Sequence, residues 1–572
     1  MQGKAKRYEE LIAQLKPCPK FNLTWYKNED LYSEGEVEDT IIRLIAENEP
    51  EDYVQAIADN FCWSVYYHLT HTRKNLLNWY PFSPEASVLE IGCGMGAVTG
   101  TLCDKAKDVT AVELSYRRAV ATLLRCREKQ NLEIIVGNLN DIAFEKKFDY
   151  ITLIGVLEYQ GSYTNTENPY LDFLKKIKTL LKPNGRLLIA IENQYGLKYW
   201  CGAKEDHTGL PFEGMNQYRI SQKKVRTFSH NGLQKLIVQS GFSHTFFYYP
   251  MPDYKLPAVV YSEAYPPMDA NMLNMQYYYV PDNTTLVAQE KDIYRDVIDN
   301  GVFGFFANSF MVECSDCEDM GEVIFASMSS RRFPEYQVGT KFARSGEAAK
   351  FALAGEKGRK HLEETWENER KLEQRGLHVW ESRFSENELI SGYAEAKTLE
   401  EVLLEVYRKG NPADIYDLWE RIWAEILSSS EEVSWEDNIL YTFGLDIVPE
   451  QERYGAILRT GYLDMIPRNA FWEGGTIYWF DQEWTLENVP AGFVLYRAFL
   501  RFYCSYEEAN QTLPLSELAR RYGLAAGWKD YQQLESLFFG VVTDAVHMAE
   551  SDAFCGDVRK ACLESIARIT GK

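Results

Sequence analysis

SVLEIGCGMG, residues Ser87–Gly96, passes from a short apolar run into a cluster of glycines. Ser87 to Ile91 reads as a buried strand with an acid, Glu90, just before its end. Gly92, Gly94 and Gly96 then alternate with Cys93 and Met95, and Ala97 to Asp104 has helix-forming composition. The order is strand, tight turn, helix. Glycines let the backbone turn sharply and approach a ligand closely, because no Cβ intervenes. Plain strand–helix turns share this pattern, so its neighbours must discriminate.

Those neighbours alternate strand with helix. Asp108–Leu114, Leu132–Val136, Phe148–Ile154 and Gly185–Ile191 are apolar runs of strand length, and a helix is expected over Tyr170–Leu181. Such runs separated by helices predict a parallel sheet covered on both faces, with ligands beyond the carboxyl ends of its strands. The second strand ends in Glu113, 17 positions after Gly96, followed by Leu114. A carboxylate there can accept both ribose hydroxyls of an adenosine. The third strand runs into Asn138, Leu139, Asn140 and Asp141, where a polar side chain can meet an adenine edge. The fourth runs into Gly155-Val-Leu-Glu158-Tyr159, at the mouth of the site.

Residues 63–260 therefore resemble a class I S-adenosylmethionine-dependent methyltransferase. The resemblance implies a Rossmann-like α/β domain. It also implies a cofactor loop over Glu90, Gly92, Gly94 and Gly96, a ribose acid at Glu113 beside Leu114, and an adenine segment at Asn138, Leu139 and Asn140, with Gly155 below the methyl group. Many relatives carry His where Tyr159 stands, so a base at that position is not expected. His68 and Arg73, ahead of the cofactor strand, either hold the cofactor's carboxylate or lie on a capping helix face. After the fifth strand, a polar glycine-rich segment suggests an acceptor site containing Glu205, His207 and Arg226.

Composition narrows the class. A net charge of −23 argues against nucleic acid as the main partner. No run of 18 apolar residues is present, so no membrane span is expected, and the first twenty residues lack an apolar signal core. The 11 scattered Cys suggest free thiols in a reducing compartment. At 572 residues the chain should hold several domains. We expect a helical segment over 1–62, the methyltransferase domain over 63–260, and a linker over 261–305 marked by Pro266-Pro267 and Pro281-Asp282. A small lobe over 306–395 and a helical lobe over 396–572 follow.

The second half carries its own constellation. Short β-like pieces at Ser309–Cys314, Val323–Met328 and Tyr336–Phe342 precede Lys350 and a charged helix over Glu356–Arg375. A strand lysine followed by a helix acid is the pair that holds nucleotide phosphates in kinases. Lys350 has Lys341 as rival, and the helix acid is either Glu364 or Glu369. The segment around Ile390 to Gly392 looks like the hinge between kinase lobes, with a helix capped near Thr398. Asp464 and Asn469 are five positions apart, and Asp481 follows 12 positions later at the end of a strand. That is the spacing of a kinase catalytic loop, where the acid takes the acceptor's proton and the amide and second acid hold Mg²⁺. Tyr462 stands where kinases carry His. No G-x-G-x-x-G phosphate loop is visible.

Residues 60–510 as a whole resemble the bifunctional kinase–methyltransferases that terminate bacterial O-antigen polysaccharides. The strings W-x-V-x-Y-H-L-x-x-x-R, E-D-H-T-G, R-T-F-S, Y-Y-P-x-P-D-Y-K and F-D-Q-E-W carry the resemblance. It implies an α/β methyltransferase domain followed by an α+β two-lobed protein-kinase-like domain, with S-adenosylmethionine, ATP and Mg²⁺ as cofactors. Asp464 would be the catalytic base, Asn469 and Asp481 the metal ligands, and Lys350, Glu364 and Ile390 part of the nucleotide site. A terminal sugar would be phosphorylated and its phosphate methylated. The acceptor would be a glycan or lipid-linked oligosaccharide, the partner a glycosyltransferase complex, and the location the cytoplasm or the inner face of the plasma membrane. No sustained heptad repeat is present, so the family's C-terminal coiled coil is not expected. The competing reading is a methyltransferase acting on a hydroxyl, with a degenerate kinase-like binding module.

Overall fold

The structure, a computed structural model, describes residues 2–30, 32–268, 284–385, 387–394, 396–442 and 451–571. Pro281-Asp282 of the expected linker and Glu395 at the end of the expected small lobe lie outside them. The chain divides into two compact units. The first comprises Met1–Ser330, Ala343–Ser345 and Ala545–Lys572, the second Arg331–Phe342 and Gly346–Asp544. Among the described residues no helix is long and apolar enough to cross a membrane.

The first unit is built on one sheet. Its strands are β1 (Lys20–Asn22), β2 (Ser87–Ile91), β3 (Asp108–Glu113), β4 (Leu132–Val136), β5 (Phe148–Ile154), β6 (Leu181–Glu192), β7 (His244–Met251), β8 (Val259–Ser262), β9 (Ser309–Ser315) and β10 (Val323–Met328). Their spatial order is β1-β4-β3-β2-β5-β6-β9-β7-β8-β10. Pairings from β1 to β6 are parallel, and those involving β9, β7, β8 and β10 are antiparallel. The order reverses between β2 and β5, which opens a crevice at the carboxyl ends of these strands. Leu89, Ile151, Leu153, Leu187 and Ile189 are fully buried between the covering layers. Ser115 caps the helix Tyr116–Arg125 by accepting from Arg118 N, which starts that helix directly after β3.

β2, β4 and β5 have the expected bounds. β6 begins earlier than expected, because Lys182-Pro-Asn-Gly185 sits on its irregular start, where the register with β5 shifts between Phe148 and Tyr150. The domain boundaries differ more. The N-terminal segment is not wholly helical: β1 pairs with β4, Phe21 opposite Ile134. The expected linker contains β8 and the helix Glu290–Asp299. Ser309–Ser315, expected in the small lobe, is instead a fully buried strand inserted between β6 and β7. β10 likewise belongs to the first unit, and so do the last helices, with Cys562 in the same core as Ile189. The physical reason is the open edge of β6: its buried backbone groups need a partner strand, and Leu187–Glu192 find it in Ser309–Cys314.

The second unit starts with an antiparallel sheet of β11 (Val338–Ala343), β12 (Glu347–Ala352), β13 (Ser382–Ser385) and β14 (Glu388–Gly392). The order is β11-β12-β14-β13, and the helix Gly355–Gln374 joins β12 to β13. A helix over Leu399–Lys409 follows, closed by a capping box of Thr398 and Glu401. Beyond it, helices pack with two small three-stranded sheets, one of which contains β-strand Ile457–Tyr462 leading to Asp464. Trp419, Trp479 and Phe499 are fully buried in this core.

Candidate functional site

The three loop glycines have separate jobs, all at positive φ: +74° at Gly92, +58° at Gly94 and +75° at Gly96. A Cβ on Gly92 would stand 2.5 Å from Val156 Cγ2, and one on Gly96 3.1 Å from Thr122 Cα. Gly94 faces outward, with only the Arg118 guanidinium near, at 3.6 Å. Glu113 fastens the loop from below: its carboxyl accepts from Gly94 N at 2.7 Å and from Ser115 N at 3.0 Å. Above it lies a cavity of about 450 Å³. Of the expected cofactor residues, Glu90, Gly92, Gly94, Glu113, Leu114, Asn138, Leu139 and Gly155 line it.

Gly96 and Asn140 are not among its lining residues. Gly96 serves packing against the helix Tyr116–Arg125. Asn140 donates to Tyr163 O and Thr164 Oγ1, which fixes the loop after β5. Burial pushes the Glu90 carboxyl up to about 7, against a hydrogen bond from Thr99 that lowers it.

The rim beyond Gly94 comes from the N-terminal segment. His68 and Arg73 both line the cavity, joined by Tyr32 and Glu34, which carry no motif by which sequence could find them. His68 Nε2 lies 3.2 Å from Glu34 Oε1. Burial lowers His68 to about 4 despite that partner. Arg73 donates to Lys255 O at 2.6 Å and lies over the Tyr67 ring.

The opposite end of the cavity, beyond β5 and β6, gathers Glu158, Glu192 and His207. Glu158 and Glu192 are 1% and 0% exposed. Glu205 holds His207 rather than facing the cavity: it takes His207 Nδ1 at 2.9 Å, and also accepts from the backbone N of His207 and Thr208 and from Tyr218 OH. Burial opposes a charge on His207, but Glu192, Glu158 and Glu205 together raise it well above its ordinary value. Burial raises Glu158; at Glu192 burial also raises, but the Lys255 ammonium paired with it, His207 and Lys198 together outweigh burial and lower it. The ring of Tyr159 packs edge-on to His207, so an imidazole from the later loop stands beside position 159.

Arg226 does not join this group. Its side chain is exposed, and only its backbone N reaches the site, donating to Glu158 O. Sequence reasoning missed the pairing of Glu158 with Glu192. The signal was an acid at the carboxyl end of one strand, Glu192, and another shortly after the end of its neighbour, Glu158.

In the second unit, Lys350 on β12 pairs with the carboxylates of Asp481 and Glu483, the latter at 2.6 Å. Lys341 pairs with Glu388 instead. Glu364 is exposed and pairs along its helix with Lys360, so it is not the helix acid that turns inward. Glu369 is: it accepts from Asp481 N at 2.9 Å and from Ser382 Oγ at 2.6 Å. Burial raises Glu369 to about 7. Asn469 donates to Asp481 O at 3.4 Å, so its amide meets the Asp481 backbone rather than standing beside a second free carboxylate. Asp481 itself has φ +59°, an uncommon conformation for a residue with a side chain.

Asp464 is buried next to this group. It accepts from Trp484 N at 3.2 Å and lies 3.8 Å from the Arg497 guanidinium. Burial pushes it up to about 7, with Arg497 opposing. Ile390 lies on β14, paired in register with Ala349.

Comparison with known proteins agrees with the first unit's fold. Residues 89–189 match the family model described as a methyltransferase domain. The N-terminal part thus contains a class I S-adenosylmethionine-dependent methyltransferase domain. Its residues fit that cofactor: a glycine cradle stands open at Gly94, and Glu113 still has lone pairs facing the cavity. Glu113, Leu114, Asn138 and Leu139 would hold the adenosine portion, and the cofactor supplies an electrophilic methyl group.

The chain is 35% identical over 117 residues to an uncharacterized methyltransferase of Staphylococcus carnosus, covering 20% of this chain and 52% of the relative. It is 30% identical over 124 residues to the malonyl-[acyl-carrier protein] O-methyltransferase of Priestia megaterium, covering 21% of this chain and 42% of the relative. The chain thus spans about half the length of these relatives. Among solved structures it is similar to the N-methyltransferase NodS of Bradyrhizobium japonicum, with 13% identity, 43% of this chain and 94% of that chain covered, and a TM-score of 0.25.

Proposed function

We propose that the chain is a bifunctional transferase that phosphorylates a terminal sugar with ATP and methylates the product with S-adenosylmethionine. The methyl-transfer half rests on the glycine loop, Glu113 and the family match. The phosphoryl-transfer half rests on one observation: both backbone groups of Asp481 are gripped by side chains, Glu369 from the helix and Asn469 from the Asp464 loop, while Lys350 meets its carboxylate. A positive-φ aspartate held on both sides is strain kept for a purpose. The order β11-β12-β14-β13 supports the reading in that β12, which carries Lys350, runs directly into the helix that carries Glu369, as a kinase's strand lysine precedes its helix acid. Asp464 would take the acceptor's proton, Asn469 and Asp481 would hold Mg²⁺, and Lys350 would release Asp481 to bind phosphate oxygens. Glu369 rather than Glu364 would be the helix acid, with Lys350 leaving Asp481 and Glu483 to reach it. The acceptor in this reading is a glycan or lipid-linked oligosaccharide at the cytoplasmic face of the membrane.

The test incubates the protein with cell-derived glycan, γ-labelled ATP and methyl-labelled S-adenosylmethionine. Both labels should enter the glycan, methyl incorporation should require ATP, and Asp464→Asn should stop both. Methyl label entering without ATP and without phosphate would count against the reading. One observation favours the second reading, transfer to a hydroxyl: Glu158 Oε2 and Glu192 Oε2 are buried without a hydrogen-bond partner at the acceptor end. A carboxylate so placed can take a hydroxyl's proton, whereas a phosphate needs no base.

A further inference from the structure

We propose that Glu158, Glu192 and His207 hold a divalent cation of the Mg²⁺/Mn²⁺ class at the acceptor end of the methyltransferase cavity. The inference rests on the methyltransferase reading of the first unit and needs nothing from the second. One ligand atom from each of the three residues lies within 4.8 Å of the others. His207 Nε2 stands 3.7 Å from Glu158 Oε1 and 4.0 Å from Glu192 Oε2. These gaps are too long for hydrogen bonds, and they suit two ligands bridged by an ion at about 2.0–2.2 Å from each.

Three further facts point to a ligand. Glu158 Oε2 and Glu192 Oε2 are buried and have no hydrogen-bond partner. An unpaired buried carboxylate oxygen is costly, and two facing one cavity call for a shared cation. Metal-binding imidazoles almost always give their other ring nitrogen to a carboxylate or carbonyl, and Glu205 takes His207 Nδ1 at 2.9 Å. Glu205 is itself pinned by three more donors, so the imidazole edge facing Glu158 and Glu192 is fixed in direction.

Two carboxylates outnumber the single imidazole, an oxygen-rich donor set of the kind Mg²⁺ and Mn²⁺ use. Such an ion would place an acceptor oxygen, of a phosphate or a hydroxyl, in a pocket whose own side chains there are largely acidic.

The experiment uses the full chain carrying Asp481→Asn, without nucleotide, so that the second unit lacks the carboxylate assigned there to a metal ion. Mn²⁺ alone is titrated and followed by electron paramagnetic resonance, and S-adenosylhomocysteine binding is measured by calorimetry on the same protein. The expected result is one bound Mn²⁺ per chain with electron spin-echo modulation from a directly bound imidazole nitrogen. Glu192→Gln and His207→Gln should abolish it while S-adenosylhomocysteine still binds. Glu205→Gln should weaken Mn²⁺ binding about 10–100-fold. Absence of Mn²⁺ binding in protein that binds S-adenosylhomocysteine overturns the cation site alone. Bound Mn²⁺ without nitrogen coupling, or unmoved by these variants, overturns it too. If S-adenosylhomocysteine does not bind the parent, the methyltransferase reading falls and the cation site with it.

Discussion

Replacing Glu113 by glutamine separates two contributions that one carboxyl group makes at once. Below the loop, its oxygens take the backbone N–H of Gly94 at 2.7 Å and of Ser115 at 3.0 Å. Toward the cavity, the same oxygens keep lone pairs for the ribose hydroxyls. In Glu113→Gln one oxygen becomes an NH₂ group that faces a backbone donor. One buried N–H is left unpaired, at a cost of about 1–3 kcal/mol to the folded protein. That loss exists with or without cofactor, so it should appear as a lower melting temperature and not in affinity. The ribose contacts are made only in the complex. Losing a charged acceptor there costs about 1.5–3 kcal/mol, which raises the Kd for S-adenosylhomocysteine about 10–150-fold. Calorimetric titration at a temperature where the variant is folded reads the second loss, and thermal melting reads the first. A folded variant whose Kd stays within about threefold of the parent would show that Glu113 only braces the loop.

Gly92→Ala should cost roughly 2–4 kcal/mol, because the left-handed backbone and the contact with Val156 both penalise a Cβ. Adding Val156→Ala should recover the contact part alone; full recovery in denaturant titrations would mean that the φ of +74° carries no strain. Glu90, with a folded pKa raised to about 7, favours its protonated form in the folded state. Its contribution is therefore complete below about pH 4 and is lost as pH rises through 7, by roughly 3 kcal/mol. Glu90→Gln should flatten the stability difference between pH 5 and pH 8, and an unchanged difference would remove Glu90 as its source. Asp464, pushed up to about 7, should give single-turnover phosphoryl transfer a limb that rises through neutral pH. Asp464→Asn should slow that transfer about 10²–10⁴-fold, and a flat profile with an active variant would discard it as the base.

The parallel core was legible because strands buried on both faces are mostly apolar along their length, as SVLEI and FDYITLI are. The glycine loop and Glu113 were legible for a related reason: chemistry at a strand's carboxyl end leaves a fixed spacing. β9 was not legible. Its partner β6 lies more than a hundred positions earlier, and an antiparallel strand that fills a gap in a distant sheet carries no local mark of which sheet it joins. The choice between Glu364 and Glu369 could have been made from helical period alone. His361, Leu362, Thr365, Asn368, Glu369 and Leu372 share the buried stripe, and Glu364 is off it. The pairing of Glu158 with Glu192 needed the knowledge that β5 and β6 are neighbours. Arg226 was chosen for its charge near an expected loop, and charge says nothing about which way a side chain turns.

The first unit is interrupted in sequence: residues 545–572 complete what residues 1–330 begin. Phe554 packs on Trp63 and Tyr66, and His547 on His71, so the closing helices brace the segment that carries His68 and Arg73 to the cavity rim. During synthesis the glycine loop is made well before residues 545–572, and its rim stays unbraced until they follow. At about 5–20 residues per second the stretch from Gly96 to Phe554 takes roughly 20–90 s to appear. For that interval Tyr66, Trp63 and the slot later filled by Cys562 remain without their covering. The pocket whose motif is read at residues 87–96 thus becomes whole only once residues 545–572 have joined it.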